Sequence, residues 1–413
     1  MSKIWVLSEL YYPELTSTGY FLTKISEALA LDFNVNVITR PATVDLNSVE
    51  SVSYEIINNV NIYRGLGTTF KKKYLIGRLI NIVVNTLSIF IQALYRCNRS
   101  DKILVVTNPP ILPFAALLLK FIKGCDFILL VHDVYPEVLI ATGYLSSKSF
   151  LNRLLLKLNK SLYYHASRII TLGRDMSELV GFKLPASHHD KVVCIPNWAD
   201  LEIVHPVLRK ENELLRKLNL ENKFVILYAG NLGKTHDIGT LAEAAKVFSD
   251  NKEDIHFLII GEGSQKTSLE KFVKDSKIEN ITTLPFLPNS EKTTSLTACD
   301  VAIISFKAGM AGISVPSRMY NQMAAGKAII AITDDHSELA RVITEEKIGW
   351  VIPPKDLESL LKAVRDIKDN FDQYTKMGEH ASKMVRKTYS YERISDSYRK
   401  LFRNITQSNH IIR

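Results

Sequence analysis

Cysteine is scarce, with four residues (Cys97, Cys125, Cys194 and Cys299) in a chain of 413. They are scattered, with neither metal-ligand nor redox spacing, which excludes a disulfide scaffold and suits a reducing cytoplasm. No Asp-x-Asp triplet occurs, so one familiar way of holding a divalent cation is missing. The apolar run near the start, Ile4-Trp5-Val6-Leu7, is too short for a signal peptide and reads as a first strand. Acid is nearly missing between residues 64 and 123, where ten basic residues face the single carboxylate of Asp101. That local excess of nine equals the net charge of the whole chain, +9. A positive field so localised implies an anionic partner. Aliphatic runs flank these basic residues, which speaks against a stacking platform and so against nucleic acid as that partner.

What is present describes a globular chain of 46% hydrophobic and 23% charged residues, long enough for two domains. Short apolar runs alternate with longer periodic segments. In the first half the runs are 4–8, 35–39, 103–107, 127–131, 168–171 and 192–195. The pattern restarts at 224–228, 257–260, 281–284, 301–305 and 328–332. This is the α/β doubly wound pattern, in which loops after strands line the ligand crevice. Gly19 lies after the first strand, His132 and Asp133 after the run 127–131, and Gly230-Asn231-Leu232-Gly233-Lys234 after 224–228. Gly261-Glu262-Gly263 repeats the strand–glycine form. Glycines between a strand and a helix can cradle phosphate. Each also has a plain reading as a turn glycine, and His132 as a satisfied loop histidine.

Tyr74–Tyr95 is a mostly apolar stretch of 22 residues, long enough at about 1.5 Å per residue to cross a bilayer. Arg78, Asn81, Asn85, Ser88 and Gln92 recur at spacings of three and four and make a polar stripe. With Lys71-Lys72-Lys73 leading in, the stripe fits a membrane interface better than its interior. The alternative is a helix of the first domain whose stripe faces water. We read it as packed on the domain with its basic end (Lys71, Lys72, Lys73, Arg78) at anionic lipid.

The chain is organised around Gly312–Ala331. Gly309 and Gly312 feed a helix start at Pro316-Ser317, Met319 and Met323 recur at helical spacing, and Gly326 closes the helix before an apolar strand. A glycine loop feeding a helix start offers free amides and a positive dipole end to an anion. Arg318 adds a cation where it opposes that dipole, which makes sense if an anion lies between them. An ordinary helix with Arg318 solvated remains the other reading.

The run Pro316-Ser317-Arg318-Met319-Tyr320-Asn321-Gln322-Met323-Ala324-Ala325-Gly326-Lys327 resembles the C-terminal signature of the retaining family 4 glycosyltransferases of group 1. It is most similar to their Pro-Ser-Lys/Arg subgroup of bacterial O-antigen, capsule and colanic-acid sugar transferases. His132-Asp133-Val134-Tyr135-Pro136-Glu137 and Ile195-Pro196-Asn197-Trp198-Ala199-Asp200 resemble further segments of the same family. The resemblance implies a GT-B fold: two Rossmann-like doubly wound domains facing a cleft, with the last helix crossing back to the first. The expected divisions are 1–200 (acceptor binding), 201–388 (donor binding) and 389–413 (returning helix). It implies that His132 faces the donor sugar, that Asn231 and His236 replace the family's Arg and Lys at the diphosphate with Lys234 close by, and that Phe286 lies at the base. Ile313 and Asn321 stand where the family has two Glu residues. Asn321 can still hydrogen-bond a ribose, and Ile313 has only its backbone N–H to offer.

The implied reaction moves a sugar, with fucose or N-acetylfucosamine favoured, from a UDP-, GDP- or dTDP-sugar to a polyprenyl-diphosphate-linked saccharide, with retention. No cofactor and no metal are expected: helix dipoles, amides and Arg318, Lys234 and His236 would stabilise the departing diphosphate. The donor set is then Gly19, Gly230, Asn231, Lys234, His236, Gly261, Glu262, Phe286, Gly312, Ile313, Ser317, Arg318 and Asn321, with His132 catalytic. The expected location is peripheral, on the inner face of the cell membrane. Two alternatives stand: a nucleotide-sugar 2-epimerase, and an inactive nucleotide-binding partner of another transferase.

Overall fold

A computed structural model describes residues 3–14, 16–42, 53–68, 70 and 75–408. The chain divides into two compact units. The first comprises Met1–Glu137, Ser146–Pro196 and Glu392–Arg413; the second comprises Val138–Leu145 and Asn197–Tyr391. The divisions thus fall at 196/197 and 391/392, a few residues from the expected 200/201 and 388/389, and a short segment at 138–145 joins the second unit.

In the first unit the strands are β1 (Ile4–Leu7), β2 (Val35–Thr39), β3 (Tyr54–Ile57), β4 (Val60–Arg64), β5 (Lys102–Val106), β6 (Asp126–Leu130), β7 (Arg168–Thr171) and β8 (Val192–Cys194). They form one sheet in the order β3-β4-β2-β1-β5-β6-β7-β8. β3 and β4 pair antiparallel and the other neighbours are parallel. β1, β2 and β5 are buried along their full length, and parallel strands covered on both faces read as unbroken apolar runs. The helices of this unit are α1 (Ser17–Ala30), α2 (Leu75–Arg96), α3 (Leu112–Lys123), α5 (Phe150–His165) and α6 (Arg174–Gly181), while α4 (Glu137–Ala141) counts with the second unit from Val138 onward. Thr16 caps α1 by accepting from the Gly19 amide at 3.2 Å.

In the second unit a six-stranded parallel sheet runs β11-β10-β9-β12-β13-β14, with β9 (Phe224–Ala229), β10 (Ile255–Ile260), β11 (Ile281–Leu284), β12 (Val301–Ser305), β13 (Ala328–Ile332) and β14 (Gly349–Ile352). Its helices are α7 (Glu213–Lys217), α8 (Ile238–Asp250), α9 (Lys266–Asp275), α10 (Lys292–Thr297), α11 (Arg318–Ala324), α12 (Glu338–Glu345), α13 (Leu357–Asp369) and α14 (Phe371–Thr388). Alternate residues of β9 serve opposite faces. Ile226 and Tyr228 join Leu241, Ala245 and Phe248 of α8 in one core; Val225 and Leu227 join Leu214, Leu215 and Leu220 in the other. Each such side chain contributes roughly 1.5–3 kcal/mol by leaving water.

The last helix, α15 (Tyr391–Ser408), counts almost wholly with the first unit. Ile394, Tyr398 and Phe402 are buried. Arg399 and Arg403 donate to the Asp32 carboxylate at 2.8–3.0 Å and hold it well below the usual carboxylate range. These contacts form between residues more than 360 positions apart, so the sheet and the chain's end are fastened together.

Two expectations for residues 64–123 change. The polar stripe of α2 faces the protein, not water. Asn85 is buried, donating to Glu9 Oε1 at 3.1 Å and accepting from the Thr68 amide at 3.0 Å. Asn81 likewise pairs with both backbone groups of Phe70. A buried side-chain amide needs such partners, and the loop before α2 supplies them. The basic excess is also partly spent inside the unit. Lys102 is buried and pairs with Asp126 at 2.7 Å, Lys120 pairs with the same carboxylate at 3.1 Å, and Arg64 pairs with Glu55. Asp126 lies just beyond the stretch counted from sequence. Lys71, Lys72 and Lys73 lie outside the described residues, and Arg78 lies in the first turn of α2.

Candidate active site

In the first unit, the site residues gather at the C-terminal ends of β1, β5 and β6. His132 follows β6 by two residues, and its backbone amide donates to Thr107 Oγ1 at 3.0 Å. Its Nδ1 lies 3.4 Å from Thr18 Oγ1, to which Asn108 Nδ2 also donates at 3.4 Å. Its Nε2 is out of solvent and has no hydrogen-bond partner among the described residues. Burial pushes the imidazole down to about 4, so the ring is neutral at physiological pH. It can give or take one hydrogen bond and cannot act as a resident cation. Gly19 sits beside it in α1. A side chain there would come within 2.7 Å of the Glu14 carbonyl, so the packing of the preceding loop already accounts for this glycine.

In the second unit, Arg318 opens α11 and is not solvated. Its guanidinium lies over the Tyr228 ring, 4.8 Å from the centroid, and near Phe306 at 6.0 Å. A planar cation suits such stacking. Nη2 stands 2.9 Å from His236 Nδ1, which is itself 2.7 Å from the Ser305 carbonyl oxygen. With its proton on Nδ1 the imidazole donates to Ser305; with its proton on Nε2 it accepts from Arg318. Burial first, then the Arg318 charge, lowers His236 to about 3 and keeps it neutral. Arg318 Nη1 is buried without a partner among the described residues. Gly230 leaves it room, since a methyl group there would sit 2.4 Å from Nη1. A fixed cation with a desolvated, unsatisfied donor is costly until an anion arrives.

The glycine loops have a structural duty. A Cβ at Gly261 would lie 1.9 Å from the Gly230 carbonyl oxygen, and one at Gly263 would lie 2.5 Å from Leu232 backbone atoms. The Leu232 amide donates to the Glu262 carbonyl at 2.8 Å, and the Gln265 amide donates back to Leu232 at 2.9 Å. The loops after β9 and β10 are therefore sealed against each other. Asn231 is exposed beside Gly233. Lys234 rests its ammonium 4.3 Å from the Tyr144 ring centroid, Glu262 pairs with Lys266 at 2.5 Å, and Phe286 stands exposed after β11.

The loop after β12 differs from expectation. The amides of Gly309, Met310 and Ala311 do not stand free: all three donate to the Asp334 carboxylate at 2.9–3.1 Å. The chain fills this nest with its own anion. Gly312 adopts φ 72°, which favours glycine, and is buried; Ile313 is buried behind it. Ser317 stands at the N-cap of α11, but its hydroxyl does not cap a helix amide. Asn321 Oδ1 accepts from the Asp200 amide at 2.9 Å, which commits that oxygen to the segment leading into this unit. The structure thus brings Gly230, His236 and Arg318 together with Tyr228, Ser305 and Phe306. Sequence reading missed those last three, although the aromatic ends of β9 and β12 were visible signals.

Known proteins match this chain as follows. The family model described as Glycosyl transferases group 1 matches residues 210–384, within the second unit. A probable glycosyltransferase WbjE of Pseudomonas aeruginosa is 31% identical over 373 residues, spanning 89% of this chain and 90% of its own. A putative colanic acid biosynthesis glycosyl transferase WcaI of Escherichia coli K12 is 25% identical, spanning 88% and 91%. Among solved structures, Anabaena HepE in complex with UDP and glucose superposes with a TM-score of 0.74 at 13% identity, covering 98% of this chain and 100% of its own.

Proposed function

The chain belongs to the group 1 glycosyl transferases, and from that premise we propose that it moves a sugar from a nucleotide-sugar to a lipid-linked saccharide during bacterial surface polysaccharide synthesis. The observation that carries the reading is Arg318, a guanidinium held by stacking with one donor buried and unpartnered, at the strand ends of the unit that matches the family. A nucleoside diphosphate supplies the anion this donor lacks. The UDP held by HepE and the colanic acid role in the name of WcaI point the same way.

In the proposed reaction the acceptor hydroxyl attacks the anomeric carbon on the leaving-group face. The new glycosidic C–O bond forms as the bond to the diphosphate oxygen breaks, and the diphosphate takes the hydroxyl proton. Arg318 stabilises the charge that builds on the diphosphate, with Lys234 of the same unit as a second cation. No metal is assigned to this step. His132, neutral and with Nε2 unpartnered, orients the sugar by a hydrogen bond. Asn321, whose oxygen already accepts from the Asp200 amide, offers its amide N–H groups to the ribose. The acceptor is a polyprenyl-diphosphate saccharide and the donor sugar fucose or N-acetylfucosamine, with the enzyme peripheral on the inner membrane face.

A panel of UDP-, GDP- and dTDP-sugars against a polyprenyl-diphosphate acceptor, run in chelator, tests this. Sugar transfer with retained anomeric configuration is expected. Turnover only with added divalent metal would overturn the leaving-group assignment. Nucleotide binding with no turnover on any acceptor would identify an inactive partner, and donor isomerisation without acceptor would identify an epimerase.

A further inference from the structure

Two helices of the first unit bury polar residues and expose apolar ones. Along α2, Ile76, Ile80, Val83, Leu87 and Ile91 recur every three or four residues, and all are exposed; Leu87 keeps 54% of its surface in solvent. Such steps return to one helix face. It lies opposite Asn81 and Asn85, whose bonds to Phe70, Glu9 and Thr68 were described above. α5 repeats the inversion: Phe150, Leu154 and Leu158, at steps of four, are exposed, while Asn152 and Asn159 are buried. α3 packs beside both helices and exposes Leu118, Phe121 and Ile122. The Phe121 ring meets His165 of α5 at a centroid distance of 5.0 Å, so the surface is continuous from α3 to α5. Contiguous apolar patches of this kind mark a surface made to be covered.

Charge identifies what covers it. α2, α3 and α5 contain no Asp or Glu, while Arg153, Lys157 and Lys160 stand exposed on α5 beside its leucines. A second copy of the chain would bring two acid-free, cation-bearing faces together, which like-charge repulsion opposes. An anionic lipid leaflet complements both features: acyl chains take the apolar side chains, and headgroup phosphates take the ammonium and guanidinium groups. Leu79–Arg96 has the length and composition of a membrane-crossing segment. Crossing would strip Asn85 of its bonds to Glu9 and Thr68, so α2 keeps its place on the unit and lies along the surface.

We propose that the α2–α3–α5 face of the first unit is a monotopic membrane seat that inserts apolar side chains into an anionic leaflet. The seat deepens the membrane setting proposed above and rests on it, but it does not depend on the transfer chemistry. It differs from attachment through basic residues alone, because insertion persists when salt screens the charges.

The test is flotation of the full chain with vesicles of phosphatidylcholine, with or without phosphatidylglycerol, at low and high salt. The chain is expected to float with the phosphatidylglycerol vesicles and to keep part of that binding at high salt. Leu87→Glu combined with Phe121→Glu, both at exposed positions, is expected to lower partitioning at least about tenfold. Thermal unfolding and nucleoside-diphosphate binding should stay unchanged in that variant. A wild-type chain that floats with neither vesicle type, or a double variant that floats equally well, overturns the seat. So does self-association in sedimentation velocity that the double variant abolishes, which would assign the face to a second copy. Turnover on a detergent-solubilised acceptor is read separately. Flotation without turnover defeats the transfer reaction and leaves the seat standing; turnover without flotation does the reverse.

Discussion

Arg318, Asp334 and three histidines with lowered pKa values carry consequences that single substitutions reach. His132 and His256 titrate near 4 and His236 near 3 in the folded chain, each lowered first by burial, against 6.5 for a free imidazole. Above pH 6.5 both folded and unfolded states are neutral and no effect appears. As pH falls from 6.5 towards 4 the unfolded chain takes up protons that the folded chain refuses, so stability falls. The slope is about 1.4 kcal/mol per pH unit for each such histidine. His256 touches neither site residue, and its Nε2 pairs only with Thr282 at 2.9 Å among the described contacts. His256→Gln should therefore flatten the urea-midpoint profile between pH 4 and 6.5 and leave it unchanged at pH 8; an unaltered profile would contradict the burial argument. Asp334 offers a second case. Its carboxylate accepts three successive amides, so Asp334→Ala should lower stability by about 1–3 kcal/mol in urea melts. Asp334→Asn should lose less, because a carbonyl oxygen remains to accept. Equal losses would mean that the loop is held by something else. Arg318 was readable from its position after Pro316-Ser317, but its aromatic cage was not. Tyr228 and His236 flank the loop after β9 and Phe306 follows β12, and only the parallel sheet brings those two strand ends side by side.

Among elements, the central strands were legible because strands covered on both faces must be apolar throughout. The β3–β4 hairpin was not, because Tyr54–Arg64 sits at the sheet edge and alternates with polar residues. Its one local signal is Asn58-Asn59, a two-residue turn with φ 48° and 64°. The extent of α2 could be read from its apolar content, but which face it buries could not. That choice is made by Asn85 meeting Glu9 and Thr68, and those partners lie in loops with no periodic pattern. Asn85→Ala removes the donor to Glu9 and the acceptor of the Thr68 amide from a buried position and should cost about 1–3 kcal/mol, read as a lower urea midpoint at constant slope. A neutral result would mean that α2 is held by its apolar contacts alone. The glycines after β9 and β10 show a limit of motif reading. They look like a phosphate cradle, yet Gly261 is required by the backbone of Gly230 before any ligand is considered.

For the whole molecule, the two α/β sheets follow from an alternation of apolar runs and periodic segments that spans nearly all of the sequence, while the return of the last helix to the first unit was implied only by the family resemblance. The charge map did not transfer as directly. Counting residues 64–123 alone missed Asp126 and Glu55, which neutralise Lys102, Lys120 and Arg64 from outside that window. What remains is one unit whose acid-free helices expose apolar surface and another whose strand ends hold a stacked cation. The central claim is that this cation receives the diphosphate of the donor. Calorimetric titration of UDP, GDP and dTDP into the wild-type chain and into Arg318→Ala tests it most directly. The substitution should weaken the preferred nucleotide about tenfold or more, the worth of a charge-assisted contact to phosphate, with the thermal transition of the ligand-free chain little changed. Equal affinity in the two proteins would contradict the account.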